Sequence, residues 1–225
     1  MRIYEVPGSG PVIEALYQQV LVPSFPAAEL IGLSGVQAIA GREDASIWLA
    51  EDADGTIVGG AVAGWDESVR VLLLGYLAVR PGSRGGGIGG LLYLTALESW
   101  RQGFKPCLVL AEIEDPSAHS GSEDYGDPAA RLRFYLSRGS RILDFPYFQP
   151  ALEPGAERVS GLLLIVLHAD PEFAGADDDT IDAGVVRKFL ENYQTRYEGK
   201  VATDGQAMAM WRAIDRPEGV RLRVQ

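Results

Sequence analysis

The stretch "AVRPGSRGGGIGGLLY", residues 78–93, places six glycines within the nine positions 82–90, directly after an apolar run and directly before a helical pattern. Upstream, "VRVLLLGYLAV" at 69–79 is nearly continuous in aliphatic residues, which suits a central strand covered on both faces. Downstream, "IGGLLYLTALESWR" at 88–101 sets Leu91, Leu92, Thr95, Ala96 and Trp100 on one helical face. A flexible linker joins regions complete in themselves; here the order is strand, glycine loop, helix. A helix start carries unpaired N–H groups and partial positive charge, so a loop without Cβ atoms lets a phosphate reach those donors. Arg84 adds a full charge at the loop's entrance.

Three phosphate-binding patterns can be set against these letters. The Walker pattern ends in Gly-Lys-Ser/Thr, and neither Lys nor Ser/Thr follows Gly89 or Gly90, so it fails. The dinucleotide pattern G-x-G-x-x-G matches at Gly85, Gly87 and Gly90, but a glycine run makes a chance match easy. Its acidic partner about 20 residues further on is not clear, since Glu112 and Glu114 lie further along. The third pattern fits: Arg84-Gly85-Gly86-Gly87-Ile88-Gly89 resembles the R-x-x-G-x-G/A acyl-CoA signature of the Gcn5-related N-acetyltransferases, the GNAT superfamily. The longer segment "YLAVRPGSRGGGIGGLL" resembles that family's fourth strand, pyrophosphate loop and third helix almost throughout. The resemblance implies that Leu77 and Val79 pair with the pantetheine arm, and that Arg84, Gly85, Gly87, Ile88 and Gly89 hold the pyrophosphate. It implies acetyl-CoA as co-substrate.

Composition bounds the rest. A chain of 225 residues with 47% apolar content has material for a sizeable core, as one large domain or two small ones. The single cysteine, Cys107, rules out an internal disulfide. A net charge of -11 argues against a nucleic-acid binder and is compatible with attraction of a cationic amine. "MRIYEVPGSG" has no long apolar segment, and the longest apolar run, "GLLLIVLHA" at 161–169, is too short to span a membrane. A cytoplasmic protein with no membrane partner is expected.

Local signals give the element order. "RIYEV" reads as a strand, and helices follow at about 11–22 and 27–38, separated where "VPSFP" breaks the chain. Strands at 46–52 and 56–65 surround "ADG" as a hairpin. After the glycine loop and its helix, "KPCLVLAEIE" at 105–114 reads as a buried strand. Asp127-Pro128 starts a helix that Gly139 ends, and "RILDF" and "SGLLLIVLH" supply the last core strands. The order β α α β β β α β α β β is also that of the GNAT fold. The expected class is therefore α/β (α+β), a GNAT-like mixed, mostly antiparallel central sheet with helices on both faces. Residues 1–170 form the acyl-CoA-binding domain, and 171–225 a C-terminal extension packed on the same domain or on a partner subunit, compatible with a homodimer. In that extension Ile181, Val185, Val186, Phe189, Leu190, Tyr193 and Tyr197 share a helical face, with Thr180 as cap, Gly199 as stop and the acids 177–179 favouring the helix start. The polar 115–126 loop has a length associated with function or mobility.

Acyl transfer to an amine needs a neutral amine, stabilisation of the thioester oxygen, and a proton for the departing thiolate. The resemblance offers the backbone N–H of Leu77 for the oxyanion. "RLRFYLSRG" at 131–139 resembles the family's FYxxxG segment, which makes Tyr135 the acid; a phenol with an ordinary pKa of about 10 keeps its proton at neutral pH. Core packing competes as an account of Tyr135, because Leu132 and Leu136 share its helical face. Ser140 stands where the family usually has an aromatic. Glu112 and Glu114 project from one strand face and are candidate general bases, or else lie at a solvated strand end; Glu51 and Asp52 close another strand. His119 and His168, with one distant cysteine, make no recognisable zinc pattern, so no metal is expected, and Cys107 reads as a buried small hydrophobe. Trp48 and Trp65 read as core or cleft wall. The function implied is N-acetyl transfer to a small-molecule or peptide amine. Two alternatives remain: a non-catalytic acyl-CoA sensor on the same fold, and a dinucleotide-binding oxidoreductase.

Overall fold

The computed structural model describes residues 1–224 apart from 123, 124 and 154, and of Ala28 the backbone only. Its elements are β1 (Arg2–Glu5), α1 (Pro11–Leu16), α2 (Leu33–Ala40), β2 (Ala45–Glu51), β3 (Ile57–Asp66), β4 (Val71–Val79), α3 (Ile88–Gly103), β5 (Leu108–Glu114) and α4 (Pro128–Leu136). Then follow β6 (Arg141–Leu143), β7 (Tyr147–Gln149), β8 (Val159–Ala169), β9 (Thr180–Ile181), α5 (Ala183–Glu198), α6 (Gly205–Ile214) and β10 (Val220–Arg223). The fold class expected from the sequence is the one found: helices flank a sheet whose described pairings are antiparallel.

The chain divides into two compact units. The first holds Met1–Glu67 and Leu72–Lys105 with a short piece of the 115–126 loop; the second holds Ser68–Val71, Pro106–Ser122 and everything from Gly126 on. In the first unit the strands run in the order β1-β2-β3-β4. Its interior is organised around Ser46, whose hydroxyl accepts the indole N–H groups of Trp100 (2.8 Å) and Trp48 (3.1 Å) and donates to Glu5 Oε1 at 2.5 Å. Both indoles thus bury their rings without orphaning a donor. Trp65 packs against Phe104 with ring centroids 4.8 Å apart. Gly60 has a packing reason to lack a side chain, since a Cβ there would stand 2.2 Å from Cδ1 of Leu16, a fully buried residue of α1.

Two readings of this unit need correction. α1 continues through a wider turn over Tyr17–Leu21 as expected, but the second helix does not begin at residue 27. A single 3-10 turn at Ala27–Glu29 gives way to extended backbone at Leu30, and α2 starts only at Leu33. The cause is tertiary: the Tyr76 hydroxyl accepts the Ile31 N–H and donates to the Glu29 carbonyl, both at 3.0 Å, satisfying the backbone outside a helix. β4 is also not covered on both faces. Leu72, Leu74, Tyr76 and Ala78 are buried, whereas Leu73, Leu77 and Val79 keep partial exposure and Gly75 is exposed.

In the second unit the order is β5-β8-β6-β10-β9, with β7 also on β8. α4 starts as the sequence indicated, with Pro128 in its first turn and Asp127 Oδ1 accepting the Ala129 N–H at 2.9 Å. The cap of α5 is not Thr180, which lies in β9, but Asp182, whose Oδ1 accepts the Val185 N–H at 2.8 Å. The acids at 177–179 accordingly precede a strand rather than a helix start, while Gly199 does end α5 in the left-handed region at φ 73°. The C-terminal segment also supplies β9, α6 and β10, and β10 pairs with β6, so the tail is built into the second unit's sheet. No described helix is long and apolar enough to cross a membrane.

Candidate functional site

The first unit carries the glycine loop. Gly85 and Gly87 hold φ of 89° and 77°, a region that a Cβ disfavours, and this turns the chain from β4 into α3. Gly87 is the N-cap of α3, and no side chain bonds to the first N–H groups of the helix. At Gly85, Gly86 and Gly87 a Cβ would meet nothing within 4 Å, so the backbone faces open space. Uncapped donors, a positive helix end and bare backbone are the features with which a helix start can receive an anion. Gly89 faces inward instead, where a Cβ would meet Val79 Cγ2 at 3.2 Å. Ile88, the first helical residue, is half-buried.

Arg84 is engaged rather than loose. Its Nε donates to the Val79 carbonyl at 3.1 Å, and a terminal nitrogen lies 3.3 Å from the hydroxyl of buried Ser24. The guanidinium therefore braces the loop against the end of β4 while keeping its charge beside the start of α3. Leu77 and Val79 lie on the partly exposed face of that strand. Apolar residues on an open strand face are what an extended apolar ligand needs. The sequence could not show this, because continuous apolar letters read the same whether the second face is covered or open.

The second unit carries the remaining named residues. Glu112 lies in the middle of β5, half-buried, and its carboxylate receives three donors. The Tyr147 hydroxyl donates to Oε1, while Gln149 Nε2 (2.8 Å) and the Tyr193 hydroxyl (3.2 Å) donate to Oε2. Burial raises the carboxyl above the usual carboxylate range, and the three hydrogen bonds pull in the opposite direction without cancelling it. Tyr147 is itself held well above the ordinary tyrosine range by burial and by the neighbouring Glu112 charge. Gln149 is buried, and its Oε1 has no partner among the described residues.

Glu114, two residues on, is tied to Arg131 of α4 at 2.6 Å. The two carboxylates therefore differ: Glu112 sits among neutral donors, Glu114 in an ion pair. Tyr135 lies on the buried face of α4, 5% exposed, with its ring edge-on to Phe134 at 5.1 Å. Ser140 is buried, and its hydroxyl has no partner among the described residues. Glu51 accepts from Tyr4 at 2.9 Å and Asp52 from the turn N–H groups of Asp54 (3.0 Å) and Thr56 (2.9 Å), which accounts for both locally.

The first part of the 115–126 loop is docked on the start of β8. Asp115 N–H donates to the Gly161 carbonyl at 2.9 Å, and His119 Nε2 lies 3.2 Å from the Ser160 carbonyl. Glu123 and Asp124 lie outside the described residues. The sequence placed Tyr193 on the apolar side of its helix but gave no sign that its hydroxyl meets Glu112. Tyr147 and Gln149 were missed altogether, since β7 is too short to leave a periodic pattern.

Residues 43–139 match the family model of the acetyltransferase (GNAT) domain. No curated protein sequence matches the chain. Among solved structures, the chain is similar to a protein of Bacteroides thetaiotaomicron described as an acetyltransferase of the GNAT family, with TM-score 0.60 and 21% identity, covering 86% of this chain and 99% of that one. It is also similar to the aminoglycoside 6'-N-acetyltransferase of Enterococcus faecium, with TM-score 0.51 and 18% identity over 76% of this chain and 99% of that one. The ribosomal-protein-S18-alanine N-acetyltransferase of Escherichia coli gives TM-score 0.51 and 14% identity over 76% and 97%. At these identities the structures speak to the fold, and the matched segment speaks to the family. The segment 43–139 is similar to the acetyltransferase (GNAT) domain, and the chain carries the GNAT fold.

Proposed function

We propose that the protein is an acetyl-CoA-dependent N-acetyltransferase that moves the acetyl group directly to a primary amine of a small molecule or peptide. The observation that carries this reading is the uncapped start of α3, where Gly85 and Gly87 in the left-handed region leave the helix N–H groups open. There the backbone at Gly85, Gly87, Ile88 and Gly89 would hold the diphosphate, with Arg84 adding charge, and the open face of β4 at Leu77 and Val79 would take the pantetheine arm.

In the reaction the amine nitrogen attacks the thioester carbonyl, a C–N bond forms and the C–S bond breaks. Charge develops first on the carbonyl oxygen, for which the Leu77 N–H is the proposed donor. Tyr135 gives its proton to the departing coenzyme thiolate, and Glu112 takes the proton lost by the amine. Glu112 suits this better than Glu114, because burial raises its carboxyl above the usual carboxylate range while Glu114 is committed to Arg131.

The experiment mixes acetyl-CoA with a panel of small amines and N-terminal peptides and follows free thiol. Thiol release that needs an amine and yields the acetylated amine supports the reading. Saturable coenzyme A binding with no thiol release across the panel would favour an acyl-CoA sensor. Binding of nicotinamide or flavin dinucleotides in place of coenzyme A would overturn it.

A further inference from the structure

Cys107 and His168 are far apart in the sequence, yet the structure makes them neighbours. β5 and β8 are antiparallel, with Leu108 opposite Ala169 and Val109 opposite His168. Side chains alternate along a strand, and directly opposed residues share a face. Cys107 thus shares a face with Val109 and His168, and Asp170 joins them. The sulfur, an imidazole nitrogen and a carboxylate oxygen of Cys107, His168 and Asp170 lie within 4.8 Å of one another.

The carboxylate is already oriented. Asp170 Oδ2 accepts the Cys107 N–H at 2.8 Å, and Oδ1 lies 3.4 Å from His168 Nε2. The Cys107 carbonyl in turn accepts the Asp170 N–H at 3.1 Å, so the two strand ends are fixed before any side chain moves. Cys107 is fully buried, whereas the His168 and Asp170 side chains are 16% and 15% exposed. The cluster therefore has a protein side and a water side. Arg70, whose carbonyl accepts the Leu108 N–H at 3.1 Å, is paired with Glu172 and lies 5.3 Å over the Phe173 ring.

We propose that Cys107 Sγ, His168 and Asp170 form a zinc site completed by water. Thiolate, imidazole and carboxylate are the donor classes zinc takes, and a thiolate in the set disfavours magnesium and calcium. Zinc bonds of about 2.0–2.3 Å in a tetrahedron put donor atoms about 3.3–3.8 Å apart. The His168–Asp170 spacing of 3.4 Å is already in that range. With all three donor atoms within 4.8 Å of one another, the thiol has to approach by at most about 1 Å, and its proton leaves to solvent as the Zn–S bond forms. The ion ties the start of β5 to the end of β8, and none of its three protein ligands is a residue assigned to acetyl transfer. A nucleophilic role for Cys107 does not follow from the same geometry, because its full burial denies a substrate access.

The test uses the full chain, freed of metal by chelator dialysis and titrated with zinc by calorimetry and with cobalt by absorbance. One equivalent of zinc is expected, with a raised Tm, and cobalt is expected to give tetrahedral bands with a thiolate charge-transfer band. His168→Gln, at a partly exposed position, is expected to keep the fold and weaken zinc by at least about tenfold. Cys107→Ser is expected to remove the charge-transfer band. No binding near one equivalent, or cobalt binding without a thiolate band, overturns the site. Undiminished zinc affinity in His168→Gln does the same. None of these readouts depends on acetyl transfer.

Discussion

Tyr193, carried by the helix α5 of the C-terminal segment, donates its hydroxyl to Glu112 Oε2 at 3.2 Å. The tail thereby reaches into the middle of β5 and helps set the acidity of the carboxylate proposed as general base. Phe189 stacks on Tyr193 with centroids 5.8 Å apart, and Tyr197 meets it edge-on at 5.3 Å, so the phenol is held on both sides along its own helix.

A first prediction follows from that hydrogen bond. It lowers the Glu112 pKa against the dominant effect of burial. Removing it in Tyr193→Phe raises the carboxyl further, and a base works only when ionised, so the acid limb of kcat/KM moves to higher pH. A hydrogen bond worth about 0.5–1.5 kcal/mol corresponds to a shift of about 0.4–1.1 pH units. An unmoved limb with an intact fold would detach Glu112 from the base role.

Tyr135→Phe removes the proposed proton for the thiolate and leaves the ring in its buried place. Turnover is expected to fall by about 100-fold or more, in the range of general acid catalysis, with coenzyme A affinity unchanged by calorimetry. Unchanged turnover would return Tyr135 to the core.

The glycine loop makes a comparative prediction about stability. Gly87 needs φ of 77° and Gly86 needs no left-handed backbone, while neither lacks room for a Cβ. Gly87→Ala is expected to cost about 1–2 kcal/mol in urea unfolding. Gly86→Ala is expected to stay within about 0.5 kcal/mol of the wild type. Equal losses would mean that the loop geometry does not depend on the left-handed turn.

Arg158 links the start of β8 to the tail through Glu198, at 2.5 and 2.6 Å, and Asp204, at 2.6 Å. The Arg158 hydrogen bonds lower the Glu198 carboxyl below its ordinary value. The stabilisation is therefore present above the ordinary carboxylate pKa and is lost as pH falls through the lowered one. Arg158→Met is expected to lose about 1–2 kcal/mol at neutral pH. Its stability should then fall less steeply than the wild type's on acidification below about pH 4.5. Parallel pH curves would contradict this linkage.

What the sequence made legible is what local chemistry fixes. The turn from β4 into α3 was written in glycines, the start of α4 in Asp127-Pro128, and the hairpin of β2 and β3 in the "ADG" between them. What it hid depends on residues brought together from distant parts of the chain. Asp182 displaced Thr180 as a cap because residues 180–181 were drawn into a strand against β10. Tyr76 kept residues 29–31 out of the helix that periodicity suggested. Glu112 could be named from its strand position, but its three donors come from β7 and α5, and Cys107 meets His168 only through the register of β5 on β8.

The central claim, that the bare start of α3 grips a diphosphate, is tested most directly by a crystal structure of the chain soaked with coenzyme A. The account predicts phosphate oxygens within hydrogen-bonding distance of the N–H groups around Gly87, Ile88 and Gly89, with the pantetheine chain running along Leu77 and Val79. Coenzyme A bound elsewhere, or a fully soaked crystal with that corner vacant, would contradict it.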